Sequence, residues 1–178
     1  MKHQENFITE RLLIRKLQYT DAALIFNSYA SDPKSTRYIS WPTHKSIEET
    51  NVFLKNKIEN WGNESDHPYA IFDKVSNEFI GSIGFVNENG RVFIGYIIAP
   101  NMEGLGYATE ATNCIVQYLV SCNEYYRIWA CCAVENKPST RVLEKSGMIK
   151  EALITKWMSF PNLNNKSLDC YFYYYPLI

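Results

Sequence analysis

No run of lysine or arginine breaks up this 178-residue sequence, and its formal net charge is only −1. A chain balanced in that way has no electrostatic footprint for nucleic acid or for an anionic membrane surface. Long apolar runs are missing as well. The opening residues, MKHQENFITERLLIRK, hold no stretch suited to a signal peptide, and no segment approaches the length of a membrane span. The five cysteines are odd in number and lack C-x-x-C spacing, which predicts a reduced, cytoplasmic chain. The adjacent Cys131 and Cys132, read on one strand, should point to opposite faces. His3, His44 and His67 follow no zinc-ligand spacing, so no metal is expected. Repeats and low-complexity tracts are absent too.

What is there is apolar and aromatic: 46% hydrophobic residues and 15% aromatic, with 13 tyrosines. That is enough to bury a full core, and it predicts one domain over residues 1–178. Alternation over residues 11–17 reads as a first strand. Residues 20–32 read as a short helix, stopped before Pro33. Ser46 and Glu49 form a capping-box pattern. Ile47, Leu54, Ile58 and Trp61 then mark one helical face, with Gly62 as its stop. Three strands follow (69–75, 78–86 and 92–99), joined by short turn-rich links that imply antiparallel hairpins. From Tyr107 the period becomes helical, with Ala108, Ala111, Ile115 and Leu119 on one face. A strand (127–134), a short helix (138–147) and a closing hairpin across residues 161–166 complete the order. The expected fold is a single α+β domain, a mixed, mostly antiparallel sheet with helices on both faces.

The chemistry concentrates in PNMEGLGYATEA, residues 100–111. Two glycines one residue apart lead straight into good helix formers, a junction that points free N–H groups and a positive dipole end at an anion. Thr109 stands where a dinucleotide fingerprint needs a third glycine, and the Gly-Lys-Ser/Thr of a P-loop is absent. Preceded by RVFIGYIIA and followed about thirty residues later by ENKPSTRVLEKSGM, this junction resembles that of the GNAT acetyltransferase superfamily. The likeness is greatest to its ribosomal-protein N-terminal (Rim-type) branch. It runs from TERLLIRKL through GSIGF, IGYIIAP and GYATEA to LDCYFY.

The resemblance implies an acetyl-CoA-dependent transfer of acetyl to a primary amine by direct attack. The motif Q/R-x-x-G-x-G/A, whose amides wrap the pyrophosphate of acetyl-CoA, falls on Glu103, Gly104, Leu105, Gly106, Tyr107 and Ala108, with Thr109 next. Glu103 departs from it, because an acidic residue there repels a diphosphate unless it turns away. The strand before the turn should splay from the following parallel strand, with the backbones of Ile97, Ile98 and Ala99 offered to the pantetheine arm and the thioester carbonyl. Asn136 resembles the residue that steadies that arm. Ser139 resembles the residue that protonates the leaving thiolate, and it does so alone, because the tyrosine many relatives carry four residues on is Leu143 here.

A general base is harder to find. The two positions where relatives carry a Glu are Phe93 and Met158. Glu151, Asp169, His44 and a solvent-connected water are the substitutes. An α-amine, with a pKa near 8, depends least on a base. Trp41, His44, Tyr69, Tyr96 and Trp157 are candidate walls of an acceptor pocket. The expected acceptor is a protein or peptide N-terminus. A small-molecule amine (antibiotic, amino acid or polyamine) and a non-catalytic acyl-CoA-binding module are the alternatives. Oligomeric state, a homodimer included, is left open.

Overall fold

The computed structural model describes residues 3–61 and 65–177. Eight strands form one sheet: β1 (Asn6–Ile8), β2 (Leu12–Lys16), β3 (Asp66–Asp73), β4 (Phe79–Glu88), β5 (Arg91–Ile98), β6 (Arg127–Ala133), β7 (Ile149–Phe160) and β8 (Lys166–Tyr175). Their order across the sheet is β1-β2-β3-β4-β5-β6-β8-β7. Every neighbouring pair is antiparallel except β5 and β6. The helices are α1 (Ala22–Ile25), α2 (Ile47–Trp61), α3 (Tyr107–Cys122) and α4 (Lys137–Lys145).

Side-chain alternation assigns the two faces. Leu12, Ile14, Tyr69, Ile71, Ile83, Phe85, Val92 and Ile94 face α3, whose Ala111, Ile115, Val116 and Leu119 complete that core. Ala70, Phe72 and Phe79 face the other way, against Ile25, Tyr29, Ala30 and Leu54 of the first helices. Cys132 joins the cluster under α4 and Cys131 the one on the opposite face, as neighbours in one strand must. All five cysteines are free thiols.

Several expectations need correction. The strand β1 was not anticipated: three residues are too few for alternation to register, and pairing with β2 makes it a strand. The first helix is also less regular than its apolar spacing suggests. A 3₁₀ turn (Tyr19–Asp21), one turn of α-helix and a π turn (Phe26–Ala30) follow each other. Glu49 accepts the Lys45 N–H at 2.8 Å, one residue ahead of the capping position read from the sequence. Gly62, the expected stop of α2, lies outside the described residues. The β4–β5 hairpin turns at Asn89 and Gly90, both with positive φ (55° and 88°), as an Asn-Gly pair favours.

Candidate functional site

The two parallel strands pair over three residues only. Arg91, Val92 and Phe93 stand opposite Arg127, Ile128 and Trp129, and no pairing follows. Each strand keeps its outer partner: β5 stays on β4 through Ile98, and β6 stays on β8 through Ala133. A gap therefore opens between Ile94–Ile98 and Ala130–Ala133, with unpaired strand edges on both sides.

The register decides which backbone groups face this gap. The Ala99 N–H donates to the Ile80 carbonyl at 2.8 Å, and the Ala99 carbonyl accepts from Met102 N–H at 2.8 Å. A Cβ built on Gly81 would stand 2.3 Å from the Ile97 carbonyl oxygen, so that carbonyl lies toward β4. Antiparallel ladders alternate, so Tyr96 and Ile98 turn their N–H and C=O groups to the gap. The expectation that Ile97, Ile98 and Ala99 act as a run is corrected here. Of the three only Ile98 faces the gap, and Tyr96 joins it.

At the far end of β5 the chain makes a 3₁₀ turn (Pro100–Met102) and enters the glycine turn. Gly104 and Gly106 both hold left-handed backbone, with φ of 77° and 86°. The first intrahelical bond of α3 runs from Glu110 N–H to the Gly106 carbonyl, at 3.1 Å. The N–H groups of Tyr107, Ala108 and Thr109 precede that ladder and carry the positive end of a 16-residue helix. Beside them lies a cleft of about 400 Å³ lined by Glu10, Gly106, Thr109, Glu110, Asn113 and Lys145. The Glu103 carboxyl is held above its usual pKa, first by burial and then by the charge of Asp32.

Across the gap, Asn136 caps α4 by accepting the Ser139 N–H at 3.3 Å. The Tyr96 hydroxyl donates to the Ser139 carbonyl at 3.2 Å. Tyr96 packs with Cys132, Leu143 and Tyr173 under α4, so its phenol reaches over to that first turn rather than lining the opposite face.

On the face away from α3, the root of the gap is aromatic. Phe93 and Trp129 have ring centroids 4.9 Å apart, Trp129 stacks on Phe172 at 5.6 Å, and Trp157 meets Phe172 edge-on at 5.0 Å. The buried Trp129 indole N–H has no partner among the described residues. The sequence reading missed this row, since Phe93 and Phe172 stand far apart along the chain and only strand order joins them.

The substitute bases have other employment. Glu151 is paired with Arg127, and Asp169 accepts the Lys156 N–H at 2.9 Å where β7 bulges. His44 is nearly buried, shares a hydrogen bond with the Thr50 hydroxyl at 2.8 Å and packs on Trp41 and Phe53. Burial holds its pKa below the ordinary histidine value, against the opposing charge of Glu49. His44 and Trp41 thus brace α2, and Tyr69 is wholly buried in the α3-side core. Only Trp157 of the expected pocket walls joins the aromatic row.

A further residue not anticipated is Asn162, between β7 and β8. Its Oδ1 accepts from the Thr43 N–H (2.8 Å) and hydroxyl (3.0 Å), and its Nδ2 donates to the carbonyls of Thr36 (2.7 Å) and Trp41 (2.9 Å). One side chain thereby clasps the loop before α2 onto the closing hairpin.

Residues 11–149 match the family model described as the acetyltransferase (GNAT) domain. The chain is 32% identical to the uncharacterized N-acetyltransferase YnaD of Bacillus subtilis, over 93% of each chain. It is 25% identical to the [ribosomal protein uS5]-alanine N-acetyltransferase of Escherichia coli, over 80% of this chain and 77% of that one. A crystal structure of a GNAT-family acetyltransferase from Bacillus anthracis superposes with a TM-score of 0.83 at 30% identity, covering 95% of this chain and 96% of the other.

Proposed function

The chain belongs to the GNAT acetyltransferase family and is an N-acetyltransferase, and on that premise we propose that it moves acetyl from acetyl-CoA to the α-amine of a peptide or protein N-terminus. The observation that carries the reading is the three-residue pairing of β5 with β6 and the gap beyond it. An extended pantetheine arm finds unpaired edges there, with the glycine turn and the start of α3 at one end for a diphosphate. Tyr107, Ala108 and Thr109 offer their N–H groups to that diphosphate. The Ile98 N–H points into the gap, where it polarises the thioester carbonyl and stabilises the oxyanion formed on attack.

The amine nitrogen attacks the carbonyl carbon, the C–S bond breaks, and the leaving sulfur takes a proton from the Ser139 hydroxyl. The proton the amine gives up returns to Ser139 through water. An acyl-enzyme has no support. Burial raises the pKa of Cys132 and pushes Cys131 up to about 12, so neither thiol beside the gap is an activated thiolate.

The acceptor assignment rests on the missing base. Phe93 and Met158 stand in an apolar row, and Glu151 and Asp169 are engaged elsewhere. The amine must therefore arrive neutral. About a tenth of an α-amine is neutral at pH 7, against less than about one lysine side chain in a thousand. The likeness to a ribosomal-protein alanine N-acetyltransferase points the same way. The test is the pH dependence of kcat/KM with an Ala-initiated peptide. The expected profile rises with the α-amine pKa of the peptide itself and moves when that pKa is changed. A pKa that stays fixed across peptides would reveal a protein base and overturn the assignment. Ser139→Ala should lower kcat while leaving CoA affinity intact. If it does not, Tyr96→Phe tests the hydroxyl that β5 brings against the Ser139 carbonyl.

A further inference from the structure

Among the described residues the glycine turn is held from outside by one side chain, Arg11, which precedes β2 and lies 94 residues away from Leu105. Its Nη1 donates to the Leu105 carbonyl at 3.0 Å, and its Nε donates to Glu110 Oε2 at 2.7 Å. Its backbone N–H donates to Glu110 Oε1 at 2.9 Å, and the guanidinium carbon sits 4.6 Å from the centre of the Tyr107 ring. Nη2 would stand 3.4 Å from a Cβ on Gly106. One planar group thus touches the turn and the first turn of α3 at residues 105, 106, 107 and 110.

In a trans peptide the C=O and the N–H point to opposite sides. Fixing the Leu105 carbonyl toward Arg11 therefore aims the Gly106 N–H away from it. Gly104 and Gly106 are the residues freest to rotate, and nothing lies within 4 Å of a Cβ on Gly104 to restrain that residue. Without Arg11 the 105–106 peptide plane has no external anchor among the described residues. Glu110, with Glu10 on the lining of the adjacent cleft, would also lose its ion-pair partner beside a phosphate site and keep the Thr9 hydroxyl as donor. Burial raises the Glu110 pKa, but hydrogen bonds from Thr9 and Arg11 outweigh it, so the carboxyl stays below its ordinary value and remains an anion. Glu103 occupies the place where the motif carries Gln or Arg, and supplies no cation of its own.

We propose that Arg11 is the positioning residue of the diphosphate-binding turn, fixing the direction of the Gly106 amide and cancelling the charge of Glu110. Lysine cannot replace it, since an ammonium has no planar fork to reach Leu105 and Glu110 together while lying on Tyr107. The inference rests on the acetyl-CoA reading above.

The test is calorimetric titration of wild type, Arg11→Met and Arg11→Lys with CoA and, separately, with pantetheine, which lacks the diphosphate. Wild type should bind CoA; failure there sinks the cofactor reading and not this one alone. Given wild-type binding, both variants should lose at least about tenfold in CoA affinity while pantetheine affinity stays within about twofold. In turnover, KM for acetyl-CoA should rise with kcat largely kept. CoA affinity within twofold of wild type in either variant would overturn the proposal. So would an equal loss for pantetheine, which would mark a general disturbance of the gap. If Arg11→Met does not fold, Arg11→Lys, which keeps the charge, decides.

Discussion

Replacing Asn162 by Ala removes four hydrogen bonds at once, two accepted from Thr43 and two donated to the Thr36 and Trp41 carbonyls. Thr36 is wholly buried, and its hydroxyl is bonded to that of Thr43 at 2.5 Å, so water cannot simply replace the lost partner. At about 0.5–1.5 kcal/mol net for each of the four bonds, the loss comes to about 2–6 kcal/mol. With a mid-range urea m-value of about 2 kcal/mol/M, the denaturation midpoint should fall by about 1–3 M. The clasped loop also carries Tyr38, which meets Phe160 edge-on and packs in the cluster containing Trp129 and Phe172. Loosening it should raise KM for the acceptor, while KM for acetyl-CoA, set by β5 and α3, stays unchanged. Asn162→Asp, which keeps the acceptor and loses the donor, should fall between. A stability loss under about 0.5 kcal/mol together with an unchanged acceptor KM would refute the clasp.

Gly106→Val places a β-branched side chain at φ 86°; the backbone strain of about 1–2 kcal/mol and the displaced amides should weaken CoA binding about tenfold or more, read by calorimetry. His67 is held neutral in the fold, first by burial and then by the charges of His3 and Lys16, with its pKa lowered to about 3. Below about pH 6.5 the unfolded chain takes up a proton that the folded one refuses, so stability falls as pH drops from there toward the folded pKa, by about 1.4 kcal/mol per unit. His67→Phe should flatten that acid limb in urea melts, and an unchanged limb would remove His67 from it. Cys131→Ser and Cys132→Ser should retain turnover, because neither sulfur carries the acetyl group; loss of all turnover in either, with the fold intact, would contradict direct transfer.

The parts of the fold that the sequence made legible are those with a local signature. Period gave α2 and α3, Pro138 and Gly147 bracketed α4, and the short turn-rich link around Asn89 and Gly90 gave the β4–β5 hairpin. The glycine turn was legible because Gly104 and Gly106 need left-handed backbone just before a helix. What escaped depends on pairing between distant segments. The strand β1 exists through β2, and the aromatic row through the insertion of β8 between β6 and β7. The Arg11 and Asn162 networks join residues roughly a hundred positions apart. His44 looked like a pocket residue because chain position suggests proximity, whereas its hydrogen bond to Thr50 turns it to α2. The register on β4 likewise shows that Ile98 and Tyr96, not the run Ile97 to Ala99, face the gap.

The most direct measurement is CoA thiol release by the purified protein with acetyl-CoA, using peptides with free Ala or Ser N-termini beside a panel of small amines, with the peptide products weighed by mass spectrometry. The account predicts release that depends on peptide, with one acetyl group on the α-amine and none on lysine side chains. Release with small amines alone would contradict the acceptor assignment. No release from either set, with acetyl-CoA bound, would contradict the proposed transfer itself.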